Sequence, residues 1–211
     1  MSLTRHPLHL RGAMQSIPGS ILVSNSPLPE SIPDPRSASA ALASLALAML
    51  LASLGTSIAN VGLPTFVRAF DANFQSVQWV VLAYLLAMTS VVVTAGRIGD
   101  LLGRRRLVLI GIVIFTSASA LCAVAPNLGF LLAARAVQGM GAAVMMAMAM
   151  ALVGEAVPRE RTGRAMGLLG TTSAIGTALG PSLGGLLIGQ FGWQAMFLVN
   201  LPLGLVAAGL A

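Results

Sequence analysis

From residue 38 onward, apolar residues run in blocks of bilayer length separated by short polar connections. The blocks lie at residues 40–63, 78–95, 107–125, 128–153, 165–189 and 194–211. A helix rises about 1.5 Å per residue, so about 20 residues cross the roughly 30 Å of hydrocarbon in a bilayer. Backbone N–H and C=O groups find no water there, so the blocks must be helices and not open strands. The pattern predicts an all-α membrane protein with six transmembrane helices over residues 38–211. Trp79 and Trp193 fall near block ends, where interfacial anchors sit.

Residues 1–37 differ. Six prolines (Pro7, Pro18, Pro27, Pro29, Pro33 and Pro35) and scattered polar residues leave no helical or strand period. The run Ile21-Leu-Val is too short for a signal-peptide core, and nothing around it resembles a cleavage site. The segment is expected to be a disordered cytoplasmic tail, or else sequence upstream of the true start codon.

Composition narrows the class. The chain is 56% hydrophobic and 9% charged, with mean hydropathy +0.89, against roughly 25% charged residues in a soluble domain. All 12 basic residues are arginines, and the formal net charge is +6. Nucleic acid is not the expected partner, because the arginines sit in short connections instead of on a basic face with stacking aromatics. They set topology. Ten lie in the tail and the even-numbered connections (Arg5, Arg11, Arg36, Arg97, Arg104, Arg105, Arg106, Arg159, Arg161, Arg164), and only Arg68 lies on the other side. That asymmetry predicts a cytoplasmic N-terminus. The lone Cys122, in mid-block, is a packing residue that can form no internal disulfide.

No enzyme is expected. His6 and His9 lie in the tail, no metal-ligand spacing occurs, and no G-x-x-x-x-G-K-[ST] phosphate loop is present. Neither a cofactor nor a metal is implied.

Five stretches carry more information. Gly96-Arg-Ile-Gly-Asp-Leu-Leu-Gly-Arg-Arg-Arg-Leu107 is a basic, glycine-rich connection with one acid, Asp100. Gly96 and Gly103 are expected to allow its turn, with Arg104, Arg105 and Arg106 anchoring it at the membrane surface. Leu131-Leu-Ala-Ala-Arg-Ala-Val-Gln-Gly-Met-Gly-Ala-Ala143 holds Arg135, the only charge inside any block. An arginine there costs at least about 2.5–3.5 kcal/mol, so it either faces a cavity or partner or snorkels to the headgroups. Gln138, one turn on, and Gly139 and Gly141, which permit close backbone approach, favour the cavity.

In the fifth block, Gly176, Gly180 and Gly184 recur every four residues, beside Pro181 and Gly185. The stripe lets a neighbouring helix come close, and Pro181 removes one helical hydrogen bond. Leu54-Gly-Thr-Ser-Ile-Ala-Asn-Val-Gly-Leu-Pro64 and Gly192-Trp-Gln-Ala-Met-Phe-Leu-Val-Asn-Leu-Pro-Leu-Gly204 are the remaining two.

Together these stretches resemble the major facilitator superfamily, transporters built from two six-helix halves. The 96–107 stretch resembles the signature G-x-hydrophobic-small-D-x-x-G-R-R/K-x-hydrophobic, and 135–143 resembles R-x-x-Q-G-x-G-A-A. The Gly176–Gly185 pattern is similar to that of the exporter branch, and the first and sixth blocks resemble the fourteen-helix multidrug exporters. The resemblance covers residues 40–211 and departs at two positions: Gly55 stands where aspartate is common, and Leu101 where arginine is frequent.

It implies an N-terminal half whose C-terminal half is absent from this chain. The implied function is export of drugs or other lipophilic small molecules across a bacterial inner membrane, by alternating access driven by proton antiport or another coupling ion. An uptake or metabolite carrier, and a non-transporting membrane fragment, remain as alternatives.

By the same resemblance Asp100 controls conformation. Arg135 and Gln138, polar groups in an apolar block, are expected with Asn60 and Met146 to line the translocation pathway. Met140, Met145, Met148 and Met150 either share that lining or simply pack. The residues themselves do not show proton coupling. The acids Glu30, Asp34, Asp71, Asp100, Glu155 and Glu160 all lie outside the blocks, and arginine does not titrate.

Overall fold

Small caps and glycines, more than the ends of the apolar runs, decide where each helix stops. The computed structural model describes residues 35–156 and 159–211, and its helices are α1 (Pro35–Ala69), α2 (Phe74–Leu102), α3 (Arg104–Ala123), α4 (Leu128–Ala156), α5 (Arg159–Phe191), α6 (Ala195–Leu198) and α7 (Asn200–Leu210). No strand occurs among the described residues. Asn73 caps α2, its Oδ1 accepting the Ser76 N–H at 2.7 Å. Asn127 does the same for α4, accepting from Phe130 N at 2.9 Å. Gly192, with φ +84°, ends α5; that left-handed backbone is strained for any residue with a Cβ. The α6–α7 break falls at Val199, whose φ −59° and ψ −25° remain helical. Pro202, three residues on, has no N–H to offer the Leu198 carbonyl, so one rung of a single apolar rod is missing.

Two expectations need correction. The stretch 96–107 is not a loop. α2 runs through it to Leu102 and α3 begins at Arg104, leaving Gly103 at φ +88° as the whole turn. Arginine, isoleucine and leucine are good or adequate helix formers, and nothing before Gly103 breaks the hydrogen-bond ladder. Gly96 therefore lies inside α2 and makes no turn. The helices also overrun the apolar blocks: α1 starts at Pro35 instead of 40, and α2 spans 74–102 instead of 78–95. Block length measures the hydrocarbon, whereas helices continue into the headgroup layer until a cap or glycine stops them. The expected disordered tail falls, over residues 1–34, outside the described residues.

Among the described residues, five helices are long and apolar enough to cross a membrane, and the Ala195–Leu210 rod is shorter. α2 lies along α4 and α5 along α1, while α1 touches α4 and α3 touches α7. Exchanging the first three helices with the last three maps α2–α4 onto α1–α5 and leaves α1–α4 and α3–α7 as they are, the arrangement expected of an inverted internal repeat. The burial is uneven. In the most apolar stretch of each helix, 56% of α1 and of α4 is buried but only 17% of α2 and of α5.

Candidate functional site

Arg135 is wholly buried, at 0% exposure, where α1, α2, α3, α4 and α6 meet. Its Nε donates to the Val80 carbonyl of α2 at 3.0 Å. Its Nη1 donates to the Gly55 carbonyl of α1 at 3.1 Å and to Gln138 Oε1 at 2.6 Å. Gln138 Nε2 then donates to Ser119 Oγ on α3 at 2.6 Å, and Ser119 Oγ donates to the Phe115 carbonyl at 2.8 Å. The guanidinium carbon lies 4.3 Å from the centroid of the Tyr84 ring and 6.0 Å from that of Phe197. Tyr84 Oη donates to the Ala52 carbonyl at 2.8 Å, tying α2 to α1.

One planar fork thus meets backbone from two helices and side chains from three. Charge-assisted bonds of this kind contribute about 1.5–3 kcal/mol each, and a cation over an aromatic face adds to them. The guanidinium does not snorkel, and in this conformation it lines no open face.

The glycines of the same stretch let the neighbouring helices come close enough for those bonds. A Cβ on Gly139 would collide with the Tyr84 carbonyl of α2, and one on Gly141 would come within 2.7 Å of Phe115 N on α3. Gly55, where an acid was expected from the resemblance, is packed as well: a Cβ there would lie 3.0 Å from the Phe115 ring and 3.7 Å from Tyr84 Oη.

The glycine stripe of α5 packs on α1. A Cβ at Gly176 would stand 2.9 Å from the Leu50 carbonyl, one at Gly184 2.9 Å from Ile58 Cγ1, and one at Gly180 would strike Ser57 Oγ. Ser57 Oγ donates to the Thr177 carbonyl at 2.7 Å, and the Ser53 and Ser173 hydroxyls meet at 2.5 Å. Pro181 and Gly185 lie on the exposed side of the helix, away from this contact.

At the other end of the bundle, Asp100 Oδ1 accepts from Arg104 Nη2 at 2.8 Å across the Gly103 turn. Arg104 Nη1 also reaches the Ala151 carbonyl of α4 at 3.3 Å. The Asp100 side chain is 62% exposed. Arg105 Nε donates to the Ala211 carbonyl at 2.5 Å. Asp100, Gly103, Arg104 and Arg105 border an open hollow with Gly99, Leu102, Arg106 and Leu152.

The expected site residues therefore fall into separate places. Asn60 is exposed on α1, its Nδ2 donating to the Thr56 carbonyl at 3.2 Å. Met146 is half-buried, Met140 and Met150 are exposed, and Met145 and Met148 are core. Tyr84 and Ser119 were missed. Tyr84 is the only tyrosine of the chain, and a lone phenol within an apolar block was the available signal.

These features define a multipass helical membrane protein held together by glycine contacts and one buried arginine. The Major Facilitator Superfamily model matches residues 45–211, and the chain belongs to that family. It is 36% identical over 163 residues to the riboflavin transporter RibZ of Clostridioides difficile, covering 77% of this chain and 36% of RibZ. It is 42% identical over 159 residues to the multidrug resistance protein Stp of Mycobacterium tuberculosis, covering 75% of this chain and 30% of Stp. The chain spans about a third of the length of these relatives. A crystal structure of a bacterial homologue of the human lysosomal transporter Spinster, inward-facing and unoccupied, matches its fold with a TM-score of 0.74. That match is at 18% identity and covers 84% of this chain and 43% of the other.

Proposed function

We propose that this chain is the N-terminal half of a small-molecule exporter of the bacterial inner membrane, working by ion-coupled alternating access. The carrying observation is the uneven burial of α2 and α5, at 17% against 56% for α1 and α4. Two apolar helices left largely uncovered suit a second half that rocks against them around a midplane site. Similarity to the multidrug resistance protein Stp supports drugs or other lipophilic molecules as substrates. Asn60 and Met146, polar and polarizable groups that are not fully buried, are the residues of this half proposed to meet substrate.

In this reading Arg135 and Gln138 act on the pathway by fixing α1, α2 and α3 around α4. Asp100, mostly exposed, is free to exchange Arg104 for a helix N-terminus or arginine of the second half. Such a contact contributes about 0.3–1 kcal/mol, enough to bias two conformations whose energies lie close together. The coupling carboxylate is assigned to the second half, because none of the acids of this chain lies within its apolar blocks.

Export of a lipophilic dye by cells expressing the complete gene tests the reading, and transport identical to that of empty cells rejects it. The N-terminus is proposed to be cytoplasmic. Cys122 is buried, so background labelling by an impermeant thiol reagent should be low. Asn127→Cys should react from outside and Arg161→Cys should not, and the opposite pattern overturns the topology. A second reading, a carrier for a soluble metabolite, is favoured by the similarity to the riboflavin transporter RibZ. Labelled riboflavin accumulating in cells that show no dye export would select it.

A further inference from the structure

One side of α3 carries charge at its start and an apolar groove further along. Its first turn holds Arg105 and Arg106, both exposed. Arg105 Nε donates to the Ala211 carbonyl, immediately after α7, so it stands where the two helices come together. The one ion pair among the described residues joins Arg104 to Asp100. Arg105 and Arg106 therefore have no carboxylate partner among those residues.

Further along, α3 and α7 part to leave a groove of about 300 Å³ with almost wholly apolar walls. Ile112, Val113 and Thr116 line one wall, and Leu201, Gly204 and Leu205 the other. Gly204 is buried and forms the floor, where a Cβ would collide with the Thr116 hydroxyl. The groove opens outward: Val113 is 60% and Leu205 70% exposed.

Helix register joins the two features. Ile112 follows Arg105, and Val113 follows Arg106, by seven residues or two turns, so the groove runs from beneath both arginines on their side of α3. Ala120, the last α3 residue of the groove, lies about 22 Å along the axis from Arg105. That is half of the roughly 40–45 Å that a bilayer spans with its headgroups. The combined surface is one leaflet deep, cationic at the headgroup level and apolar below it.

A phospholipid has that outline. Arginine forks bind phosphate oxygens in pairs, and basic residues at a bilayer surface draw anionic lipid. A neighbouring helix would also fill the groove, but it would have to bring an acid to the level of Arg105 and Arg106. A phospholipid carries its anion at that height in every copy.

We propose that α3 and α7 hold one anionic phospholipid, with its phosphate on Arg105 and Arg106 and one acyl chain in the groove. The inference does not depend on the direction or substrate of transport.

The test is thermal unfolding of the complete protein in detergent, titrated with phosphatidylglycerol or with phosphatidylcholine of the same acyl chains. Phosphatidylglycerol should raise the midpoint by about 2–4 °C in a saturable manner, and phosphatidylcholine by much less. Arg105→Gln with Arg106→Gln should bring the two lipids level. Ser117→Phe, which lays a ring over the groove from an exposed position, should weaken the response to phosphatidylglycerol. Equal responses in the unaltered protein, or a phosphatidylglycerol response that survives either change, overturn the proposal. Inorganic phosphate that reproduces the full shift also overturns it, since the anion is then free phosphate. Should a variant fail to fold, the unaltered protein decides, using phosphatidylglycerol with a photoactivatable group on its acyl chain. Crosslinks to α3 and α7 support the site, and crosslinks confined to other helices reject it.

Discussion

The α2–α4 pair and the α1–α5 pair are packed equally closely but by different means. Between α2 and α4, Gly139 admits the Tyr84 backbone and Arg135 then bonds the Val80 carbonyl. The same guanidinium reaches α1 through Gly55 and, by way of Gln138, reaches α3 through Ser119. Between α1 and α5 there is no charge at the contact. Three glycines spaced one turn apart make a smooth face, closed by the Ser57–Thr177 bond and the Ser53–Ser173 hydroxyl pair. A forked cation bonded to several helices has one good position, and a small shift breaks several bonds at once. A glycine face with short hydroxyl side chains keeps most of its contact when it slides. On the proposed function, α4 belongs to the fixed part and α5 to the part that shifts, a hypothesis that variants of the two pairs test.

The largest effects should come from the fixed pair. Gly139→Val drives a branched side chain into the Tyr84 carbonyl, backbone that cannot rotate away. Overpacking of this kind costs about 1–3 kcal/mol or more, and the folded protein should largely disappear from membranes, as judged by size-exclusion profile. Arg135→Ala leaves the Gly55 and Val80 carbonyls and Gln138 Oε1 without the donor, at about 1–3 kcal/mol for each group left unpaired. It should still insert, with a clearly lowered unfolding midpoint, and on the proposed function it should lose export. Arg135→Lys keeps the charge without the planar fork, so export should be impaired. Normal export by Arg135→Ala would show that the junction fixes nothing.

The membrane class and the helix count were legible in the sequence because apolar block length is a direct measure of the bilayer. Helix ends were not, since they depend on single capping residues such as Asn73, Asn127 and Gly103 that hydropathy does not weigh. Arg135 and Gln138 stood out as polar groups in apolar sequence, and the glycine stripe as a period. Their partners did not, because the acceptors are the backbone carbonyls of Val80 and Gly55. Every residue carries a carbonyl, so only tertiary packing tells which ones an arginine meets. The role of Gly139 was half legible: the need for close approach could be read, but the helix that approaches could not.

Variants of the α1–α5 pair should separate stability from movement. Gly180→Leu pushes a side chain into Ser57 and the backbone of Ile58 and should destabilise the pair. Ser57→Ala removes one bond to the Thr177 carbonyl, about 0.5–1.5 kcal/mol, and should lower the unfolding midpoint only slightly. Pro181→Ala sits on the exposed side and should leave that midpoint unchanged or raise it, since it restores a helical hydrogen bond. Its transport rate should nevertheless fall if α5 has to flex at this point. A Pro181→Ala protein that transports at the wild-type rate would end the distinction between a fixed and a shifting pair.

The smallest expected effect lies at the methionines of α4. Met145 and Met148 are core, with Met148 filling the space beside Gly99 on α2, so they belong to the fixed pair and cannot meet a substrate. Met146 is half-buried and Met150 is 46% exposed, one turn apart on the same face. If that face looks onto the pathway, the flexibility and polarizability of methionine suit ligands of varied shape. Leucine has nearly the same volume, so Met146→Leu with Met150→Leu should cost less than about 1.5 kcal/mol in stability. What should change is selectivity: export of bulky or flat compounds should shift by a few-fold relative to small ones, read as altered ratios of inhibitory concentrations. A uniform change across all compounds would reflect expression or folding. An unchanged set of ratios would mean that these side chains meet lipid or the second half, leaving Asn60 as the one residue of this half proposed to contact substrate.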